Sequence, residues 1–201
     1  MTPQNDSSSW EQDWQPVINR VGELLDDDVW RFGPDRVEAG AIRRFLEPLE
    51  LDSALHTDGE VAREHGWPDV VAPYTSVWTF MMPPTWTPAH GVLYPDDAGR
   101  DSQPAWSPIG DDVIPGAPPT SGVFGSDLSL EFDRPLHVGE RVAAGPRRLV
   151  ACTPKQTKVG RGAFVRFERD VVVESGERVC RMTGEIYLYD PHPADEEPVH
   201  D

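Results

Sequence analysis

The sequence predicts an α+β domain in which one buried helix is wrapped by an antiparallel sheet. A short apolar segment, residues 68–82, is fenced by prolines: Pro73 suits the start of a helix, and Pro83 and Pro84 forbid its continuation. Tyr74, Val77, Trp78 and Met81 recur at helical spacing inside it. After Ser121 the apolar period changes to two and stays so through long strands joined by short turns, without intervening helices, which is the pattern of an antiparallel sheet.

Taken in order, residues 1–15 are polar and Ser-rich and read as a flexible tail, and residues 16–190 as a single domain. Residues 14–25 carry Val17, Ile18, Val21, Leu24 and Leu25 on an amphipathic helix, followed by a short strand at 29–32. Residues 38–49 repeat the helical pattern with Ile42, Phe45, Leu46 and Leu49, weakened at Pro48. Thr57 and Glu60 have the spacing of a capping box, and Gly66 closes that short helix, so His56 falls on a loop just before a helix start. Residues 85–119 form a long Pro-, Gly- and Asp-rich stretch that also carries Trp86, Tyr94 and Trp106, and these aromatics argue for a flap packed over a pocket or a partner. Strands are expected over 121–133, 141–153, 163–174 and 178–189, with Ser175 and Gly176 turning the last hairpin. Residues 191–201 are an acidic, proline-broken tail.

The formal charge of −17 opposes approach to nucleic acid or to anionic membranes, and neither is expected as a partner. Cys152 and Cys180 both lie in expected strands and form no disulfide framework or metal-ligand spacing, so no metal or other cofactor is expected, and the composition suits a reducing cytoplasm. The N-terminal residues lack the basic and apolar pattern of a signal peptide, and no apolar run reaches the length of a membrane span.

An ordered set of short motifs carries a resemblance. Leu55-His56-Thr57-Asp58, Ala62-Arg63-Glu64-His65-Gly66 and Val70-Val71-Ala72-Pro73-Tyr74-Thr75 come first. Ile114-Pro115-Gly116, Glu131-Phe132-Asp133-Arg134-Pro135-Leu136, Val138-Gly139-Glu140 and Gly160-Arg161-Gly162-Ala163-Phe164-Val165 follow. From about residue 37 to 189 the chain resembles the MaoC-like (R)-enoyl-CoA hydratases and dehydratases, in their N-terminal, FAS1-like dehydratase half. The resemblance implies the hot-dog fold, a cytoplasmic hydro-lyase acting on an acyl thioester of CoA or a carrier protein, and side-by-side pairing as a homodimer or with another hot-dog chain.

The family's active members are expected to carry Asp-x-Asn-Pro-Leu-His. Here residues 51–56 read Leu51-Asp52-Ser53-Ala54-Leu55-His56, so the histidine matches and the carboxylate stands one residue along. The resemblance therefore implies His56 as general acid or base, Asp52 as the group that would orient water, and the amides near Tyr74 and Thr75 as an oxyanion site. Trp78, Trp86, Tyr94 and Trp106 are candidates for lining the pocket or flap. The lost Asp position also fits the degenerate half of a pair, in which a partner keeps the acid and base. Two alternatives stay open: a non-catalytic acyl-binding or structural subunit, and an enzyme of this fold with a non-CoA substrate, suggested by the enlarged flap. Arg141, Arg147, Arg148, Lys155, Lys158, Arg161, Arg166 and Arg169 make a basic stripe that either holds phosphates or is simply a solvated face.

Overall fold

A computed structural model describes residues 9–94 and 114–192. Its centre is a six-stranded sheet, antiparallel throughout, of β1 (Arg31–Arg36), β2 (Gly122–Phe132), β3 (Arg141–Ala144), β4 (Arg148–Thr157), β5 (Gly160–Val173) and β6 (Arg178–Pro191). The strand order is β1-β3-β5-β6-β2, with β4 pairing the other half of β5. The expected strand over 141–153 is two strands, because Gly145 and Pro146 interrupt it. The hairpin at Ser175 and Gly176 forms as expected, with Gly176 at φ 85°.

Among the described residues five short α-helices accompany the sheet: α1 (Ser9–Gln12), α2 (Gln15–Ile18), α3 (Ala39–Leu46), α4 (Gly59–Glu64) and α5 (Val77–Met81). The helix starts within the proline fence, where Tyr74–Ser76 make a 3-10 turn that α5 continues. Ser76 is fully buried, and its hydroxyl and amide both donate to the Pro73 carbonyl, at 2.6 and 2.9 Å, so burial leaves its polar groups satisfied. Met82 turns to an extended conformation ahead of Pro83.

The expectation of a helix buried on most sides needs correction. Val77, Phe80 and Met81 are buried against Val142, Ala144, Val171 and Val173, with Ile42 and Leu46 of α3 completing that core. Tyr74 and Trp78, on the same predicted apolar stripe, are 48% and 37% exposed. The sheet supplies cover on one side only, because β2, the strand nearest Tyr74, is an edge whose inner-face Val123 and Leu128 are themselves half exposed.

A second core lies at the other end of β5 and β6. There Leu149, Ala163, Val165, Phe167, Ile186 and Leu188 are covered by Trp14, Val17, Leu25 and Ile114. Trp14 is 2% exposed, so the polar tail expected to run to residue 15 gives way to packed structure before it, and the helix expected over 14–25 reduces to α2. Buried Arg147 holds this segment down through a bidentate pair with Asp26 and its own amide. Burial pushes the Asp26 carboxyl up, but those bonds and the arginine charges outweigh it and hold the group below its ordinary value.

Where β1 crosses α5 the backbones meet closely. A Cβ on Gly33 would lie 1.9 Å from the Phe80 carbonyl oxygen, whereas one on Gly40 of α3 would meet nothing. Gly33→Ala should therefore lower stability to urea by about 1–3 kcal/mol or more through overpacking, while Gly40→Ala is tolerated or stabilising; equal midpoints for the two variants would refute the close contact.

Candidate functional site

The segment that leads into the central helix also builds the candidate site. After α3, the chain turns through a 3-10 segment, Ala54–His56, that presents the His56 ring to the backbone of Val71. The imidazole is half-buried, and its Nδ1 lies 2.8 Å from the Val71 carbonyl oxygen. A carbonyl can only accept, so the proton of the neutral ring sits on Nδ1 and Nε2 keeps its lone pair, the arrangement a general base requires. The Val71 amide in turn donates to Leu55, at 3.1 Å, so both polar groups of this peptide are tied to the histidine turn.

Residues 70–72 are fixed from the other side by residues 136–138: the Ala72 amide donates to Leu136 and the Val138 amide to Val70. That second segment is anchored by Arg134, whose guanidinium donates to Glu140 at 2.7 Å and to Glu177 at 2.9 Å. Glu140 accepts a further bond from the His137 amide and lies 3.1 Å from His137 Nε2. Glu177 and then Glu140, bonded to Arg134, raise the guanidinium further above its ordinary range. Arg134-Pro135-Leu136 and Glu140 entered the sequence reading only within motifs; the ion-pair network was missed because Glu177 is distant in sequence and carries no local signal.

Tyr74 and Thr75 follow Val71 by three and four residues and are exposed at the start of the helical turn. Their amides find no acceptor among the described residues. Tyr74 packs on Phe132, with ring centroids 4.8 Å apart, beside a shallow surface recess lined by Tyr74, Val77, Phe132, Arg134, Leu136 and Val179. Among the described residues this recess encloses no volume of its own, whereas ligand pockets usually enclose about 300–1,000 Å³, so by itself it does not surround an acyl chain.

The structure ties the His56 ring to the Val71 carbonyl, three residues before Tyr74, and gives Asp52 no such bond. Asp52 is exposed and makes no hydrogen bond or ion pair among the described residues. The helix that follows is capped by Asp58, which accepts from the Glu60 and Val61 amides, in place of the expected Thr57. Trp78 stands on the open face of the helix, Trp86 donates to the Gly91 carbonyl, and Tyr94 is exposed. Trp106 lies outside the described residues.

No cluster of possible metal ligands occurs among the described residues. Most of the basic stripe is engaged within the chain: Arg147 with Asp26, Arg166 with Glu185, Arg148 with Gly22 and Arg141 with Gly33 and the Phe32 ring. Cys152 and Cys180 are free thiols, each pushed up to about 11 by burial, and so are poor nucleophiles.

A short helix laid on one face of an antiparallel sheet defines a hot-dog domain. The chain belongs to the family described as FAS1-like, dehydratase domain region, whose model matches residues 30–182. Comparison of the sequence with curated proteins returns no match. Among solved structures, the chain is similar to the ChsH1–ChsH2 complex of Mycobacterium tuberculosis, at 23% identity and a TM-score of 0.61, covering 92% of this chain and 98% of that one. It is also similar to a MaoC-like dehydratase from Rhodospirillum rubrum, at 21% identity and a TM-score of 0.50, covering 86% and 99%. A monoamine oxidase regulatory protein from Archaeoglobus gives 19% identity and a TM-score of 0.52, covering 86% and 98%. At these identities the likeness concerns the fold.

The hydrogen bond to Val71 sets a spectroscopic expectation. In nitrogen-detected NMR the neutral His56 ring should show a protonated Nδ1 and a bare Nε2, the less common tautomer of a free histidine side chain; a protonated Nε2 in the neutral ring would contradict the site geometry.

Proposed function

We propose that this chain is one subunit of an (R)-specific enoyl-thioester hydratase or dehydratase, adding water to or removing it from an acyl group carried on CoA or a carrier protein. It holds the acyl group within a pocket that a second hot-dog chain completes. The observation that carries this reading is the open face of the helical turn that follows Val71, the residue bonded to His56: Tyr74, Thr75 and Trp78 are all exposed there, and the recess beside Tyr74 encloses no volume of its own. The loss of the acidic partner supports it as well. Leu51 occupies the expected Asp position, and Asp52 makes no contact that would aim it at the imidazole. An acid displaced by one residue moves on the order of 3 Å, and 1 Å of misplacement can cost about 10²-fold. In this reading the partner supplies the working acid and base, and the Tyr74 and Thr75 amides lie where a thioester oxygen could accept from them.

The tautomer of His56 favours a second reading, in which the chain is itself active. With Nδ1 committed to Val71, Nε2 would take the proton from water or return it, and Asp52 would orient the water once the loop is ordered by substrate. Both readings treat the chain as part of a cytoplasmic hydro-lyase needing no cofactor.

The purified chain is expected to show no hydration of a trans-2-enoyl-CoA, and His56→Ala is expected to leave the activity of an assembled two-chain enzyme nearly unchanged. Steady activity of the lone chain that falls by about 10²- to 10⁴-fold in a correctly folded His56→Ala variant would instead establish the second reading.

A further inference from the structure

The cations of this chain are unevenly placed. Residues 148–167, which make β4, its turn and the first half of β5, contain Arg148, Lys155, Lys158, Arg161 and Arg166 and no aspartate or glutamate. Both lysines of the chain lie here, in a protein whose net charge is −17. Like charges on a sheet repel unless acids on neighbouring strands answer them, as Glu185 answers Arg166 at 3.0 Å.

At the β4–β5 turn that answer is missing among the described residues. Lys158 stands exposed in the turn itself and makes no hydrogen bond or ion pair among them. The Lys155 ammonium lies 5.8 Å from the centre of the Phe164 ring, and Arg161 Nε donates to the Gln156 side chain at 3.3 Å. The acid opposite Arg161 is Asp190, whose carboxylate instead accepts from the Ser121 amide and hydroxyl, at 3.0 Å each. The turn is nonetheless held in place. Tyr187, buried and stacked on Phe164 and on Tyr189, sets its hydroxyl 2.8 Å from the Lys155 carbonyl oxygen and 2.9 Å from that of Gly160. An anion that meets these three cations therefore finds their backbone already ordered.

The position of the turn decides which anion that is. Roughly 36 Å of β6, at about 3.3 Å per residue, separates it from Cys180, the neighbour of Phe132, which puts it out of reach of a group seated beside Tyr74. The chain itself is a nearer source. Strand β6 ends at Pro191, opposite Gly160, and His192 Nε2 donates to the Thr157 carbonyl at 3.0 Å, one residue from Lys158. The residues that follow, outside the described ones, read Pro193-Ala194-Asp195-Glu196-Glu197-Pro198. Three to five residues span at most roughly 10–18 Å, so these acids are tethered within reach of the turn. A short tether gives an effective concentration on the order of millimolar, which a free anion at lower concentration does not match.

We infer that the occupant of the β4–β5 turn is the chain's own acidic segment, with Asp195, Glu196 and Glu197 paired to Lys155, Lys158 and Arg161. The tip of the basic stripe then neither holds a substrate's phosphates nor stands bare in solvent. It clasps the segment that leaves β6, at the end of the sheet away from the candidate site. The enzymatic reading does not enter this inference.

The test exploits the two lysines. A carbodiimide joins a carboxylate to an amine only where the two already meet, so peptide mass spectrometry of the treated full chain reads which acids touch Lys155 and Lys158. Isotope-labelled and unlabelled protein are mixed first, so that links within one chain differ in mass from links between two. At low ionic strength the lysines should be joined to Asp195, Glu196 or Glu197 of the same chain. Those links should be lost at about 1 M salt, where the screening length is about 3 Å. Arg161→Gln keeps both lysines and should lower the yield about 1.5- to 5-fold, the span expected for one exposed ion pair. Absence of these links, links that persist at high salt, an unchanged yield in the folded variant, or links only between chains would each overturn the inference. The last result would assign the turn to a second copy. If Arg161→Gln does not fold by circular dichroism, the wild-type links and their salt dependence decide alone. No substrate enters the readout, so its outcome is independent of the His56 assignment.

Discussion

Everything in this domain depends on the contact between a very short helix and the inner face of the sheet. The helix α5 has five residues, fenced by prolines, and isolated helices shorter than about 12–15 residues are marginal in water. It exists because Val77, Phe80 and Met81 bury themselves against β3 and β5, and because Gly33 lets β1 approach its backbone. That docking fixes Pro73, and through residues 70–72 it fixes the one carbonyl that orients His56. Packing and candidate chemistry are thus the same piece of chain seen from two sides.

The open side of the helix and the β2 edge of the sheet are also one feature. Tyr74 and Phe132 join them, and on the outer face exposed Phe124 packs on half-buried Tyr189 and on Tyr187, which is itself buried. Exposed apolar patches of this kind on a folded chain mark interaction surfaces more often than defects.

Much of the fold was legible in the sequence because its signals are local. Pro73, Pro83 and Pro84 bound the helix, the alternation in β5 and β6 marks the strands, and Ser175 with Gly176 turns the hairpin. What escaped is set by distant contacts. Trp14 reads as part of a polar tail and becomes core only because Leu149 and Phe167 need cover, and Tyr74 reads as core and is exposed because no strand lies beyond β2 among the described residues. The site was legible in part: His56 stands in a recognisable motif, but its bond to Val71 and the bracing of that segment by Arg134, Glu140 and Glu177 require the tertiary fold.

The two cores described above share the long hairpin of β5 and β6 yet no side chain, and the boundary between them is made by Arg169 and by the Phe167 ring lying over Gly184. Cooperative unfolding relies on contacts that span the whole structure, and here the spanning elements are that hairpin and β2, which pairs β6 from Tyr189 to Cys180 and so runs past both cores. The domain is accordingly built as two blocks on one shared sheet, with the candidate site on the block away from Trp14.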